Sequence, residues 1–163
     1  ETRAELAGLS DGAIAAAAEA AKSRQLEGKY VLALQNTSGQ PALVSLQDRA
    51  LRERLQKASV NRASRGGEFD NRATLARVVK LRAERAALLG YANYAALSLV
   101  PKMANDADEV LDFLRDLGRR AKPYAERDFA ELAAFARDDL GLAELAPWDL
   151  AWASERLKAK RAG

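Results

Sequence analysis

No histidine and no cysteine occur among the 163 residues of this chain. Without thiols it forms no disulfide and runs no thiolate chemistry, which fits a reducing compartment. Zinc catalysis draws on imidazole and thiolate donors, with carboxylates as supplements, so the usual ligand set for that metal is missing. Proline is scarce at 4 residues, methionine occurs once, at Met103, and aromatics make up 6%. No apolar run approaches the roughly 18 to 20 residues that span a bilayer. The alanine-rich stretch from Ala13 to Ala21 is too short and too weakly hydrophobic to serve, so no membrane partner is expected.

What the chain does contain is apolar content for one domain, 48% of its residues, enough to bury a core. Its 26 basic and 23 acidic residues leave a net charge of +3. The sequence pI near 9.3 reflects missing histidine and plentiful arginine, which is weak ground for a nucleic-acid partner. The chain starts at Glu1 without an initiator Met and stops at Gly163 after the basic run Lys158-Ala159-Lys160-Arg161, which reads as a helix still in progress. These ends are those expected of a piece cut from a longer polypeptide.

Ser10 or Asp11 is placed to cap a first helix over about 12–24, with Gly28 ending it. Tyr30-Val31-Leu32-Ala33-Leu34 is β-rich and too short for a helix, so one strand is expected there, followed by the turn Asn36-Thr37-Ser38-Gly39. A lone strand needs a partner. Either 42–46 returns as a hairpin, or Pro41 opens a short helix and the partner lies outside the chain; the second is preferred. Asp48 caps a helix through about 63, and Arg65-Gly66-Gly67-Glu68 breaks it. Asp70 begins another, whose Leu75, Val78, Val79, Ala86 and Leu89 follow the helical period until Gly90 closes it. These two helices are expected to pack antiparallel.

A short helix over 91–100 ends at Pro101. The next is long: Asn105 caps it, Asp106, Asp108 and Glu109 favour its positive end, and Val110, Leu114, Leu117, Ala121, Leu132 and Ala136 form its stripe. Pro123 falls inside, and an interior proline costs about 3 kcal/mol and bends the axis, so a kinked helix or two abutting ones are expected. At about 1.5 Å per residue, 106–139 extends about 50 Å. A compact chain of this size has a radius of gyration near 15 Å, hence a diameter of roughly 40 Å. The helix therefore folds back at Pro123 or lies along a body larger than this chain. A last helix begins near Pro147, with Trp148 and Trp152 on one face.

The order of these signals resembles the thimet oligopeptidase family of zinc metallopeptidases, in its peptidyl-dipeptidase and oligopeptidase A branches. Residues 30–37 with Gln40-Pro41 resemble a strand and turn of the peptidyl-dipeptidases. Asp48-Arg49-Ala50-Leu51-Arg52-Glu53 resembles the start of the next family helix, with Asp48 where some relatives have asparagine. Arg82, Leu88-Leu89-Gly90-Tyr91 and Asn93-Tyr94-Ala95 match a helix end; 110–117 and 145–150 look closer to oligopeptidase A. Lys102-Met103-Ala104 and Pro147-Trp148-Asp149 complete the series. Trp152 departs from the tyrosine often found in relatives, which removes any role for a hydroxyl there. The resemblance implies a segment upstream of a zinc-binding HExxH helix, in a helical shell that walls a channel admitting short peptides. That motif is not in this chain.

Several residues invite sharper readings. Asp106, Asp108 and Glu109 carry oxygens suited to a hard cation, yet their place in a first helical turn explains them. Glu126, Asp128 and Glu131 offer acid/base chemistry, yet beside Arg127 they read as a solvated face. Arg49, Arg52, Arg54, Lys57, Arg62 and Arg65 suit phosphates, yet Glu53 and the lack of interleaved aromatics argue for ordinary surface. Trp148 and Trp152 are read as core anchors of the last helix, and Tyr91 and Tyr94 as packing against a helix end.

The fold expected is mainly α: one helical, bundle-like region over 1–163, with a long kinked helix, at most one short strand or hairpin, and a sub-boundary near 101–105. The function expected is that of a non-catalytic fragment of a cytoplasmic zinc oligopeptidase, a peptidyl-dipeptidase, forming part of its channel wall. Its partners are then the rest of the enzyme and short peptides. No catalytic, cofactor-binding or metal-binding residue is assigned in this chain, and zinc belongs to the parent. The second reading is an autonomous helical module binding nucleic acid or a protein.

Overall fold

The computed structural model describes residues 1–34 and 36–163, and the side chains of these except 36–40. Among them a single 3₁₀ turn, Ala4–Leu6, precedes seven helices: α1 Asp11–Lys22, α2 Asn36–Ser45, α3 Arg49–Val60, α4 Arg72–Leu88, α5 Tyr94–Leu99, α6 Ala107–Asp138 and α7 Leu150–Ala162. The fold is mainly α, as the helical periodicity implies. The chain forms two compact units, Glu1–Arg62 with Phe129–Gly163, and Ala63–Asp128. Residues 101–105 join α5 to α6 inside the second.

In the first unit the caps follow the sequence. The Ser10 hydroxyl accepts from the Ala13 N–H at 3.3 Å and opens α1. Asp48 accepts from the Leu51 N–H at 2.8 Å and opens α3. The core is Leu6, Ile14, Ala42, Leu46, Leu51 and Leu55, with Leu9, Tyr30, Leu32, Leu34 and Leu43 packed around it. Ala17 and Ala21 are buried on α1, whose small side chains let neighbours approach closely. Gly8 has φ +95°, and a Cβ there would meet the Ser45 carbonyl oxygen at 2.1 Å. The Ala7 carbonyl beside it accepts from the Gln47 N–H at 2.9 Å. Only glycine lets the first turn lie this close to the end of α2.

The strand expected over 30–34 does not form, and no strand exists among the described residues. Its hydrogen bonds go elsewhere: Tyr30 N–H donates to the Glu1 carbonyl and Val31 N–H to the Ala17 carbonyl on α1. Its side chains pack on the core, so β-propensity served burial without a ladder. The turn expected at 36–39 is instead the first turn of α2, and Pro41 stands inside that helix and not at its start. Gln35, part of the strand-and-turn reading, lies outside the described residues.

The antiparallel pair expected of α3 and α4 falls across the two units, and each helix packs within its own: α3 on α2, α4 on α5. In the second unit, Asp70 accepts from the Arg72 N–H at 2.9 Å just ahead of α4. Gly90, at φ +79°, closes that helix, with the Tyr91 N–H bonding back to the Ala86 carbonyl at 2.9 Å. Asn93 caps α5 through the Ala96 N–H at 2.9 Å. The α6 cap is Asp106, which accepts from the Glu109 N–H at 2.8 Å, and not Asn105. Glu109 returns the favour by accepting from the Asn105 backbone and side-chain amides, an acidic variant of the capping box shifted by one residue.

The apolar stripes have the expected period but not the expected burial. On α4 only Ala86 is buried, while Leu75, Val79 and Leu89 are 62%, 66% and 54% exposed. On α6 Leu132, Phe135 and Ala136 are buried, whereas Phe113, Leu114, Leu117 and Tyr124 stand in solvent. Among the described residues nothing covers these faces. Residues 107–138 run as one helix with Pro123 inside.

Candidate functional site

The most constrained polar cluster joins the start of α3 to the start of α7. Arg49 and Arg52, three apart, share one side of α3. Asp149 stands at the entry to α7, yet its side chain makes no cap bond to that helix. Its carboxylate turns to the arginines instead. Arg49 Nη2 donates at 2.8 Å and its Nε at 3.1 Å; Arg52 Nη2 donates at 2.9 Å, and the Ala146 N–H at 3.2 Å. Asp149 is wholly buried and Arg52 is 1% exposed. Burial pushes the Asp149 carboxyl up, but the bonds from Arg49, Arg52 and Ala146 outweigh it and hold the group below the ordinary carboxylate range. Arg52 Nη1 also donates to the Leu46 and Gln47 carbonyls at 2.8 and 3.0 Å, tying α2's end to the same point.

Two indoles complete the cluster. Arg49 and Lys57 lie over the Trp148 ring, at 5.9 and 5.3 Å from its centre. Arg52 and Arg156 lie over Trp152, at 4.3 and 3.8 Å. Both tryptophans are half-buried, and both indole N–H groups are sealed from solvent without an acceptor among the described residues. The last helix starts at Leu150, later than Pro147, so Trp152 lies on α7 and Trp148 in the turn before it. Burial of Arg52 was not legible: its neighbours Arg49, Arg54 and Lys57 are about half or more in solvent, and a basic helix face reads as surface until a buried acid 97 positions away is known. The cluster has no nucleophile and no free base. It fastens α7 to α3.

Most of the remaining candidates have partners, and Asp108 is exposed in the first turn of α6. Arg54 pairs with Glu1 and Glu5 at 3.0 and 2.7 Å, Lys57 with Glu53, and Arg62 donates to the Leu34 carbonyl at 2.6 Å. The Thr2 N–H, then Arg54, then the Thr2 hydroxyl bring the Glu5 carboxyl down to about 2. Glu126 pairs with Lys122 at 3.6 Å, Asp128 with Arg127 at 3.1 Å, and Glu131 with Arg161. Asp106 and Glu109 are used in capping α6. Tyr91 and Tyr94 are half-buried at the α4 end, with Arg82 5.0 Å from the Tyr94 ring centre.

The first unit also has a groove of about 650 Å³ lined by Gly8, Leu9, Ser10, Ala13, Ala16, Ala17, Ala20, Val31, Leu32, Ala33, Pro41, Ala42 and Ser45. Among the described residues no ionisable side chain lines it. In the second, Ala95, Ser98, Leu99, Ala107, Val110 and Leu111 line one of about 300 Å³.

Among the described residues these features make a helical segment whose charged groups are largely paired with one another and whose α4 and α6 carry exposed apolar side chains. Residues 42–163 match the model of peptidase family M3, and the chain belongs to that family. It is 44% identical to oligopeptidase A of Escherichia coli (strain K12) over 159 residues, covering 95% of this chain and 23% of that protein. It is 41% identical to oligopeptidase A of Haemophilus influenzae (strain ATCC 51907 / DSM 11121 / KW20 / Rd), covering 97% and 24%. Dipeptidyl carboxypeptidase of E. coli is 37% identical, covering 97% and 23%. The chain thus spans about a quarter of the length of these relatives.

The residues here do not fit a zinc site. Histidine and cysteine are missing from the whole chain, and the described residues hold no group of three acids that could bind a metal. No helix among the described residues is long and apolar enough to cross a membrane.

Proposed function

We propose that this chain is a non-catalytic helical part of a zinc-dependent oligopeptidase, and that in the whole enzyme it forms part of the wall of a channel for short peptides. The observation carrying this is that nearly all of the chain aligns with about a quarter of several peptidases, while its own residues offer no zinc ligands. The uncovered stripes of α4 and α6 support it, since exposed apolar faces of this length mark surfaces that another body covers. The channel wall narrows access, favouring unfolded peptides over folded proteins. Zinc, held by the rest of the polypeptide, supplies the water-activating chemistry.

The whole enzyme releases dipeptides from peptide C-termini and works in the cytoplasm, with the remainder of the peptidase as this segment's partner. Cell fractionation of the full-length polypeptide checks the compartment. Nucleic-acid binding finds no support, because Arg49, Arg52, Arg54 and Lys57 are bonded to carboxylates. The test is a fluorogenic peptide assay with added zinc, comparing these 163 residues with the full-length polypeptide, and mass spectra of the products. The expected result is zinc-dependent dipeptide release by the full-length protein alone. Zinc-dependent turnover by the 163 residues overturns the proposal.

A further inference from the structure

Arg156 on α7 is half-buried, with its Cζ 3.8 Å from the centre of the Trp152 ring. Its hydrogen bonds leave from Nη1 alone, to the Trp152 carbonyl at 3.2 Å and the Val44 carbonyl at 3.4 Å. Both acceptors are neutral, and the two distances are at and beyond the long end of the usual range. Nε and Nη2 have no partner among the described residues, and neither is among the side-chain atoms sealed from solvent. Asp149, the buried acid of the neighbouring cluster, has its oxygens taken by Arg49, Arg52 and Ala146. Arg52 adds a second positive charge over the same ring. Burial, and then the Arg52 charge, lower the Arg156 pKa. A guanidinium withdrawn from water beside another cation is stabilised when an anion meets it.

We infer that Arg156 is a carboxylate-binding site, its free Nε and Nη2 donating to two coplanar oxygens while Trp152 supports the stem. A forked planar donor matches a carboxylate in this way. The carboxylate comes either from an Asp or Glu in the part of the polypeptide outside these residues or from the free C-terminus of a bound peptide. The second source rests on the peptidase reading; the first does not.

The test uses the full-length polypeptide carrying Arg156→Met, which keeps an apolar stem on Trp152 without the fork, and Arg156→Lys, which restores charge alone. Arg161→Met, losing an exposed pair with Glu131, is the control. Peptides ending in a free carboxylate and the same peptides amidated are compared for KM and kcat, and thermal midpoints are measured from pH 7 to 3. A peptide carboxylate shows as a KM raised about tenfold for the free acid, with the amide and kcat unchanged and Lys restoring it in part. An internal carboxylate shows as a stability gap between wild type and Arg156→Met that closes below about pH 4, with both peptides affected alike. If KM is unmoved and the gap is absent, or persists unchanged at pH 3, stacking on Trp152 accounts for Arg156 and the inference fails. If the wild type cleaves no peptide, the peptidase reading fails and the stability comparison still decides this one.

Discussion

Asp149 shows how one residue can be decisive without being reactive. Removing it leaves Arg52 buried and without its counter-charge, so Asp149→Ala is expected to cost about 3–5 kcal/mol, read as a lower urea midpoint at unchanged slope. Arg49→Ala, at a side chain 46% exposed, should cost only about 1 kcal/mol or less. A pH dependence follows from the same carboxyl. Its pKa is depressed in the folded chain, so its contribution is present above the unfolded value near 4 and lost as pH falls through the folded value. Wild type should therefore lose stability on acidification below about pH 4, and Asp149→Asn, less stable at pH 7, should lose less over that range. Equal slopes for the two proteins in a pH series of urea melts contradict this. Glu5, at about 2, adds to the loss in the same direction from an exposed position.

Single elements carry their own tests. Gly8→Ala places a methyl 2.1 Å from the Ser45 carbonyl at a φ of +95°, and should cost about 2 kcal/mol or more; a thermal midpoint equal to wild type is the contrary result. Asn93→Ala removes the α5 cap, worth about 1 kcal/mol, and should speed hydrogen exchange at Ala96 and Leu97. In α6, Pro123 is exposed within a continuous helix. Pro123→Ala restores a donor to the Arg119 carbonyl and should raise stability by about 1–3 kcal/mol, measured by thermal melting.

At the scale of the molecule, the exposed faces of α4 and α6 matter most. Phe113, Leu114, Leu117 and Tyr124 recur at helical spacing, each more than half exposed. Surfaces of this kind promote association, so the 163 residues alone should bind a hydrophobic dye and self-associate as concentration rises, seen by light scattering. Leu114→Glu with Leu117→Glu should suppress that at a stability change within about 0.5 kcal/mol, as expected of surface sites. On the proposed reading the stripe is covered in the full-length polypeptide, and the same double substitution should destabilise it there. A silent outcome in the long form argues against that cover.

The residues alone determined the helical class, the cap at Asp48 and the closing role of Gly90, and narrowed the first cap to Ser10 or Asp11, because these follow from local chemistry within a turn or two. They also carried the family resemblance, through the order of short words along the chain, and the absence of any zinc ligand set. Tertiary structure decided the rest. It made 36–45 a helix, since packing of Ala42 and Leu46 in the core outweighs the turn propensity of Asn36-Thr37-Ser38-Gly39. It left Tyr30–Leu34 without a ladder, and buried Arg52 against Asp149 across ninety-seven positions of chain. Periodicity tells which side of a helix is apolar; whether that side is covered depends on what stands opposite, and for α4 and much of α6 no residue described here does so.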